Sequence, residues 1–260
     1  MRLLCTLGSG IRRCGDEPSR LQTPQTQVDH RHLAIDGKRL RATTSQEHPV
    51  HQLSCYEVAT GIVLWHCNVH DKENEISALK PLLNAECVSG RILTLDAMHT
   101  QRELCAQVHR LEGDDILIAK DNQPTLREDI ADLLEDRRPD RRRWQEAETW
   151  NKGHGRIEHR QIVCSPDLNE WFGKKWQGIE QVFRLERTTR LLTSGKVRHE
   201  VVYGLSSLSM HHAPPATMLT LIRDHWSIEN RLYWRRDVSL GEDACQTRDF
   251  TCARSARSTY

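Results

Sequence analysis

The stretches LAIDGKRLR (residues 33–41) and ILTLDAMHT (residues 92–100) decide the fold of this chain. Each starts as an apolar, β-prone run and reaches a single carboxylate, Asp36 or Asp96, at or just past the end of the predicted strand. In open α/β sheets, ligands gather at the carboxyl ends of strands. Either aspartate alone is typical of a turn or a cap, whereas the two together indicate a site made of carboxylates.

The composition of the chain fits a folded protein of one large domain or two small ones. It has 260 residues, of which 37% are hydrophobic and 28% charged, and a net charge of only +1. So small a charge argues against coating of nucleic acid by bulk charge, and leaves room for local basic patches. The nine cysteines are scattered without a CxxC pair, which favours reduced thiols in a cytoplasm. No apolar run approaches the roughly 20 residues of a membrane span.

The pattern along the chain predicts a mixed α/β sheet flanked by helices. Residues 1–32 lack periodicity and are expected to be poorly ordered, and residues 137–156 read as a polar linker or exposed loop. Strands are predicted at 33–36, 50–58, 62–69, 91–98, 115–120, 156–165, 178–189 and 199–208. Helices are predicted at 74–86, 100–113, 125–137 and 213–238.

A third carboxylate stands in the last predicted helix, within HWSIENRLYWRRD (residues 225–237). Helical spacing places His225, Glu229 and Tyr233 on one face. By itself Glu229 is most simply a solvated residue of an amphipathic helix. Brought against Asp36 and Asp96, it would complete an all-oxygen site suited to Mg²⁺, which can support phosphodiester chemistry.

An ordered set of motifs resembles a bacterial transposase family. The motifs are AIDGK, KENEISALKPLL, TLDAMHTQ, AKDNQ, HGRIEHR, YGLSSL and HWSIENRLYWRRDVSLGED. They are similar to those of the insertion-sequence DDE transposases of the ISAs type, also called H-repeat-associated proteins. The resemblance covers residues 33–248 and implies an RNase H-like catalytic domain with a β-rich insertion at about 137–212. Residues 1–32 would then be an N-terminal remnant and 249–260 an irregular tail.

The resemblance also implies roles for the three acids. Asp36, Asp96 and Glu229 would be the first, second and third catalytic metal ligands. They would bind Mg²⁺, for which Mn²⁺ is expected to substitute. The implied activity is metal-dependent cleavage and strand transfer at insertion-sequence ends, with DNA as partner and a homodimer assembled on it. The implied location is the bacterial cytoplasm, at the nucleoid when bound to DNA.

Basic, polar and aromatic residues within or beside the motifs are candidates for contacts to DNA. Ordinary surface charge or a solvated loop is the alternative for each of them. The candidates are Lys38, Lys120, Asn122, Gln123, Arg141, Arg142, Arg143, Trp144, His225, Arg231 and Arg235.

Two further hypotheses stand beside the transposase. The chain departs from the family pattern at Asp121, where glycine is usual, and at Arg236, where an apolar residue is usual. Residues 1–32 also lack the helical segment, and residues 249–260 the further apolar helix, that relatives usually carry. The chain could therefore be a truncated, catalytically silent remnant that at most binds DNA. It could also be a nuclease that uses the same core without strand transfer. Metal dependence separates the first alternative from an active enzyme, and joined products separate the second.

Overall fold

The computed structural model describes residues 32–39, 51–69, 75–135, 143–167 and 175–242. The expected remnant before residue 32, Arg141, Arg142 and the expected tail at 249–260 lie outside these ranges. Within them one mixed sheet has the order β3-β2-β1-β4-β5-β9-β8-β7-β6. Its strands are β1 (His32–Arg39), β2 (His51–Glu57), β3 (Ile62–Val69), β4 (Ile92–Leu95), β5 (Asp114–Ala119), β6 (Gln145–Gly153), β7 (Arg156–Ser165), β8 (Gln181–Leu191) and β9 (Val197–Ser206). The α-helices are α1 (Glu75–Leu79), α2 (Ala85–Val88), α3 (Arg102–Arg110), α4 (Pro124–Glu135) and α5 (Pro215–His225).

The first five strands form the half of the sheet that positions Asp36 and Asp96. β1, β4 and β5 are parallel neighbours, and β2 pairs antiparallel with both β1 and β3. The predicted hairpin is confirmed, and β3 lies at the edge with Ile62 and Leu64 exposed. Helices cover this half-sheet, so the predicted mixed α/β class is confirmed and agrees with an RNase H-like fold.

The other half of the sheet is an antiparallel meander. β9 pairs with β5, and β8, β7 and β6 follow it outward. The three strands predicted after residue 156 are confirmed, but the prediction of a loop at 137–156 was wrong where β6 runs. β6 is an edge strand whose residues are all exposed or half-buried. Such a strand needs few apolar side chains, so its polar sequence concealed it.

Two apolar clusters cover opposite faces of the sheet. One contains Leu33, Ile35 and Leu95 with residues of α3 and α4. On the other face, α5 packs chiefly on β6, β7, β1 and β4, and Ala34 packs with Ile228 and Tyr233. Because side chains alternate along a strand, Asp36 points to the same face as Ala34. The sequence of β1 therefore directs its carboxylate toward the segment that follows α5.

Two predicted helices are interrupted. The helix expected at 74–86 is divided into α1, a short 3₁₀ turn at Lys80–Leu82 and α2, because Pro81 cannot continue the backbone ladder. The helix expected at 213–238 is α-helical only in α5 and continues as π-helical turns at Ile228–Tyr233 and Arg235–Ser239. Among the described residues, no helix is both long and apolar enough to cross a membrane.

Candidate active site

Asp36 and Asp96 lie side by side at one edge of the parallel strands. Ile35 of β1 is the direct register partner of Leu95 of β4, and each aspartate is the next residue. Asp96 ends its strand and begins a 3₁₀ turn, Ala97–His99, by accepting a hydrogen bond from the Ala97 backbone N–H at 2.6 Å. The parallel pairing of β1 and β4 therefore brings the two acids together. The prediction that the first strand ends at Asp36 was wrong, because residues 36–39 still pair with β2.

Glu229 reaches the same face from the π-helical segment after α5. Its neighbour Ile228 is fully buried against Ala34 and Tyr56, while Glu229 itself is exposed. Tyr233 donates a hydrogen bond from its hydroxyl to the backbone carbonyl of Asp36 at 2.8 Å. The segment is therefore fixed to β1 on both sides of Glu229, and its carboxylate is left facing solvent.

The three carboxylates repel one another. The pKa of Asp36 is raised to about 7, first by burial and then by the charges of Asp96, Glu229 and Glu75, with the Gly37 backbone N–H opposing the shift. Burial and the charge of Asp96 also raise the pKa of Glu229. Like charges held near each other in this way create a demand for a counter-cation.

The chemistry of the donors fits a hard divalent cation, because Asp36, Asp96 and Glu229 offer only carboxylate oxygens. In the described parts of the chain, no three side chains of His, Cys, Asp or Glu are drawn together closely enough to form a metal centre. The arrangement is therefore an open set of three acids: Asp36 lies within β1, Asp96 directly follows β4, and Glu229 stands on a separate segment.

His225 is the last residue of α5, one helical turn before Glu229, and its ring contacts the sheet. Its Nδ1 lies 2.9 Å from the Thr94 hydroxyl, and His32 Nε2 lies 2.9 Å from the same oxygen on the other side. Burial lowers the pKa of His225 to about 4, so its imidazole is neutral at pH 7. His225 and Thr94 thereby attach the end of α5 to the strand that ends in Asp96.

Three exposed cations stand beside the acids. Lys120 Nζ lies 4.0 Å from an Asp96 oxygen, and both side chains are about half exposed. Arg231 and Arg235 are exposed on the segment that contains Glu229. Among the described candidates for DNA contacts, these three combine charge and exposure with a position on or next to the elements of the acids.

The other candidates for DNA contacts have partners within the protein. Asn122 and Gln123 donate hydrogen bonds to the carbonyls of Ala97 and Thr100, at 2.7 and 3.0 Å, and so fix the turn after Asp96. Lys38 is only 9% exposed and forms ion pairs with Asp237 and, at 3.0 Å, with Glu242. These residues hold neighbouring groups of the protein in place, and their contact with DNA stays a prediction.

Arg143 and Trp144 lie at the start of β6. Arg143 pairs with Asp167, and Trp144 lines an open groove with Leu134, Val163 and Arg184. Trp144 packs against the cluster on the α3–α4 face, opposite the face that holds Glu229. The structure therefore does not bring this pair to the three acids.

Sequence reasoning missed four residues beside the site: Glu75, His51, His99 and Thr94. Glu75 is buried behind Gly37, with His51 and His99 near its carboxylate. The one available signal was Gly37 itself, because a glycine directly after a strand-end acid indicates a close approach by another group.

Fold and acids together define a DDE-type transposase domain, and comparison with known proteins identifies the family. The profile of the family described as "Transposase DDE domain" matches residues 27–256, and the chain belongs to this family. It is 31% identical over 226 residues to two Escherichia coli K12 proteins, "Putative protein YbfL" and "H repeat-associated putative transposase YhhI". It is 28% identical over 226 residues to "Putative transposase YncI" of Escherichia coli O157:H7.

These three matches cover 83% of this chain and 56–58% of each relative. The chain thus spans little more than half the length of the curated relatives it matches. The resemblance to the H-repeat-associated transposases is confirmed by both the family match and the relatives.

Proposed function

We propose that this chain is a Mg²⁺-dependent DDE transposase that cuts and joins DNA at the ends of an insertion sequence. The observation that supports this most directly is the convergence of Asp36, Asp96 and Glu229 on one face, in a chain of the DDE family. We expect the protein to work in the bacterial cytoplasm, at the nucleoid, and to bring two DNA ends together as a homodimer.

The three carboxylates would hold Mg²⁺, or Mn²⁺ in its place. A divalent cation bound there supplies charge neutralisation at the phosphoryl oxygens and acidifies the attacking hydroxyl. The protein contributes the fixed positions of the acids. Asp36 and Asp96 have their backbones locked in adjacent strands, and Glu229 has its segment fixed by Tyr233 and His225.

The remaining charges would position DNA. Lys120, Arg231 and Arg235 are exposed around the acids and would bind backbone phosphates on either side of the scissile bond. Because positioning and electrostatics supply most of the catalysis in phosphoryl transfer, fixed acids that hold the metal ion and flanking basic residues would supply most of what the reaction needs.

Two reactions of the same type complete the proposal. In the first, the oxygen of water attacks a phosphodiester phosphorus, the bond from phosphorus to the 3′-oxygen breaks, and a 3′-hydroxyl and a 5′-phosphate result. In the second, that 3′-oxygen attacks a phosphorus of target DNA. The target's own 3′-oxygen leaves and takes up the proton, so the strands are joined without any other reactant.

Nicking of supercoiled plasmid in Mg²⁺ or Mn²⁺ tests the proposal. The intact chain should nick, and Asp96→Asn should abolish nicking while its circular dichroism spectrum and DNA affinity stay unchanged. Absence of nicking by folded protein would favour a silent remnant. Nicking without joined products, on a donor that contains the element's own ends, would favour a simple nuclease.

A further inference from the structure

The buried carboxylate of Glu75 lies directly behind the strand that contains Asp36. Glu75 begins α1, on the face of the sheet opposite Asp36, and its side chain is 2% exposed. A Cβ atom placed on Gly37 would lie 2.7 Å from Glu75 Oε2. Only glycine lets the carboxylate come this close to the β1 backbone, so Glu75 fills the space that a side chain at position 37 would need.

Two histidines approach the same carboxylate from different elements. His51 Nδ1, at the start of β2, lies 3.5 Å from Glu75 Oε1, and His99 Nε2 lies 3.9 Å from Glu75 Oε2. His99 is 1% exposed and ends the 3₁₀ turn that begins with Asp96. Among the described residues neither of its ring nitrogens has a hydrogen-bond partner, and the Glu75 carboxylate is the polar group that approaches Nε2.

Burial of a carboxylate is costly, because an apolar residue of similar volume would fill the same space without loss of hydration. The apolar residues Leu79, Leu83 and Val69 pack in the cluster that α1 joins, so such a replacement would suit the core. A carboxylate retained there indicates a role beyond packing.

We propose that Glu75 is a positioning residue that fixes the distance between Asp36 and Asp96. It does so by contacting Gly37, next to the first acid, and His99, at the end of the turn that follows the second. This inference rests on the proposed function, since it assigns Glu75 to the cation site formed by those acids. Glu75 does not touch the substrate in this role.

Binding of Mn²⁺ to the full chain, followed by the electron paramagnetic resonance signal of the free ion, tests the inference without relying on activity. Removal of a buried group that orients metal ligands is expected to weaken metal binding about tenfold. Glu75→Gln should therefore raise the Kd for Mn²⁺ by about that factor. Glu103→Gln, at an exposed position of α3, is the control and should bind as the wild type does.

The comparison of wild type with Asp96→Asn separates the two proposals. If wild-type protein shows no Mn²⁺ binding that depends on Asp96, the proposed function fails, and this inference fails with it. If Asp96-dependent binding is present and folded Glu75→Gln binds Mn²⁺ within about twofold of wild type, the inference alone is overturned. Should Glu75→Gln not fold, His99→Gln takes its place, with the same expected weakening and the same result counting against it.

Discussion

Tyr233 donates its phenolic hydrogen bond to the backbone carbonyl of Asp36, across a distance of 2.8 Å. This bond joins the strand of the first acid to the segment of the third. Tyr233 is buried in a small cluster with Ala34, Tyr56 and Ile228. The position of Glu229 relative to Asp36 therefore depends on packing and on one directional contact.

Tyr233→Phe should remove that contact and keep the packing. We expect a loss of about 1 kcal/mol in the free energy of unfolding, typical of one buried hydrogen bond, together with slower metal-dependent nicking. Tyr56→Phe is the matched control, because Tyr56 belongs to the same cluster but places its hydroxyl near Gly61, in the β2–β3 turn. Equal nicking rates for the two variants in a plasmid assay would show that the Tyr233 bond does not position Glu229.

Glu229→Gln tests the third acid directly. The side chain is exposed, so its replacement should change stability little. Nicking should fall by about 10²-fold or more, because one of three charges that face the reaction is lost. The control is Glu128→Gln, an exposed glutamate on α4. A Glu229→Gln protein that nicks at the wild-type rate would remove Glu229 from the site.

The parts of the site that sequence predicts are those encoded locally. Apolar runs before Asp36 and Asp96 define two strands, although β1 continues past its acid to Arg39, and parallel pairing of such strands follows from the alternation with helices. Glu229 needed the family resemblance, because a lone glutamate on an amphipathic helix has no distinctive pattern.

The parts that sequence does not predict depend on contacts between distant residues. Glu75 and His99 meet only because α1 and the turn after β4 pack on one sheet edge. The sequence alone made Lys38 a candidate for DNA contact, because its ion-pair partners, Asp237 and Glu242, are about 200 residues away in sequence. The strand β6 was concealed for a different reason, since an edge strand tolerates a polar sequence.

Lys38 provides a prediction about stability. Lys38→Met should remove the cation that Asp237 and Glu242 share, while Arg236 stays 2.7 Å from Glu242. We expect a loss of about 1–3 kcal/mol, below the value for a fully buried pair because Asp237 is partly exposed. Urea denaturation measures the change. Lys80→Met, which breaks the exposed pair of Lys80 with Glu103, is the control and should alter the unfolding midpoint little.

Lys120 and Lys38 should differ in their effect on DNA binding. Lys120 is exposed beside Asp96, whereas the ammonium of Lys38 is occupied by carboxylates. If Lys120 contacts one phosphate, Lys120→Gln should reduce the slope of log affinity against log salt by about 1. Lys38→Met should leave that slope unchanged. Fluorescence anisotropy of labelled duplex DNA between low and moderate salt measures both, and a slope lowered equally by the two variants would contradict this distinction.

The carboxyl group of Asp115, which lies outside the candidate active site, should make the stability of the protein depend on pH. It is buried on β5, and burial, together with the charge of Asp114, raises its pKa to about 7 from an ordinary value of 3.8. Since the folded state retains a proton that the unfolded state releases, the contribution to stability is complete below pH about 4 and is lost as the pH rises through about 7.

Asp115→Asn cannot ionise and should escape this loss. As the pH rises from about 4 to 8, the free energy of unfolding of the variant should increase relative to that of wild type, by an amount on the order of 1–4 kcal/mol. Urea denaturation at both pH values measures the difference, and Asp132→Asn, at an exposed position of α4, is the control. A constant difference between Asp115→Asn and wild type across this range would mean that Asp115 does not retain its proton in the folded protein.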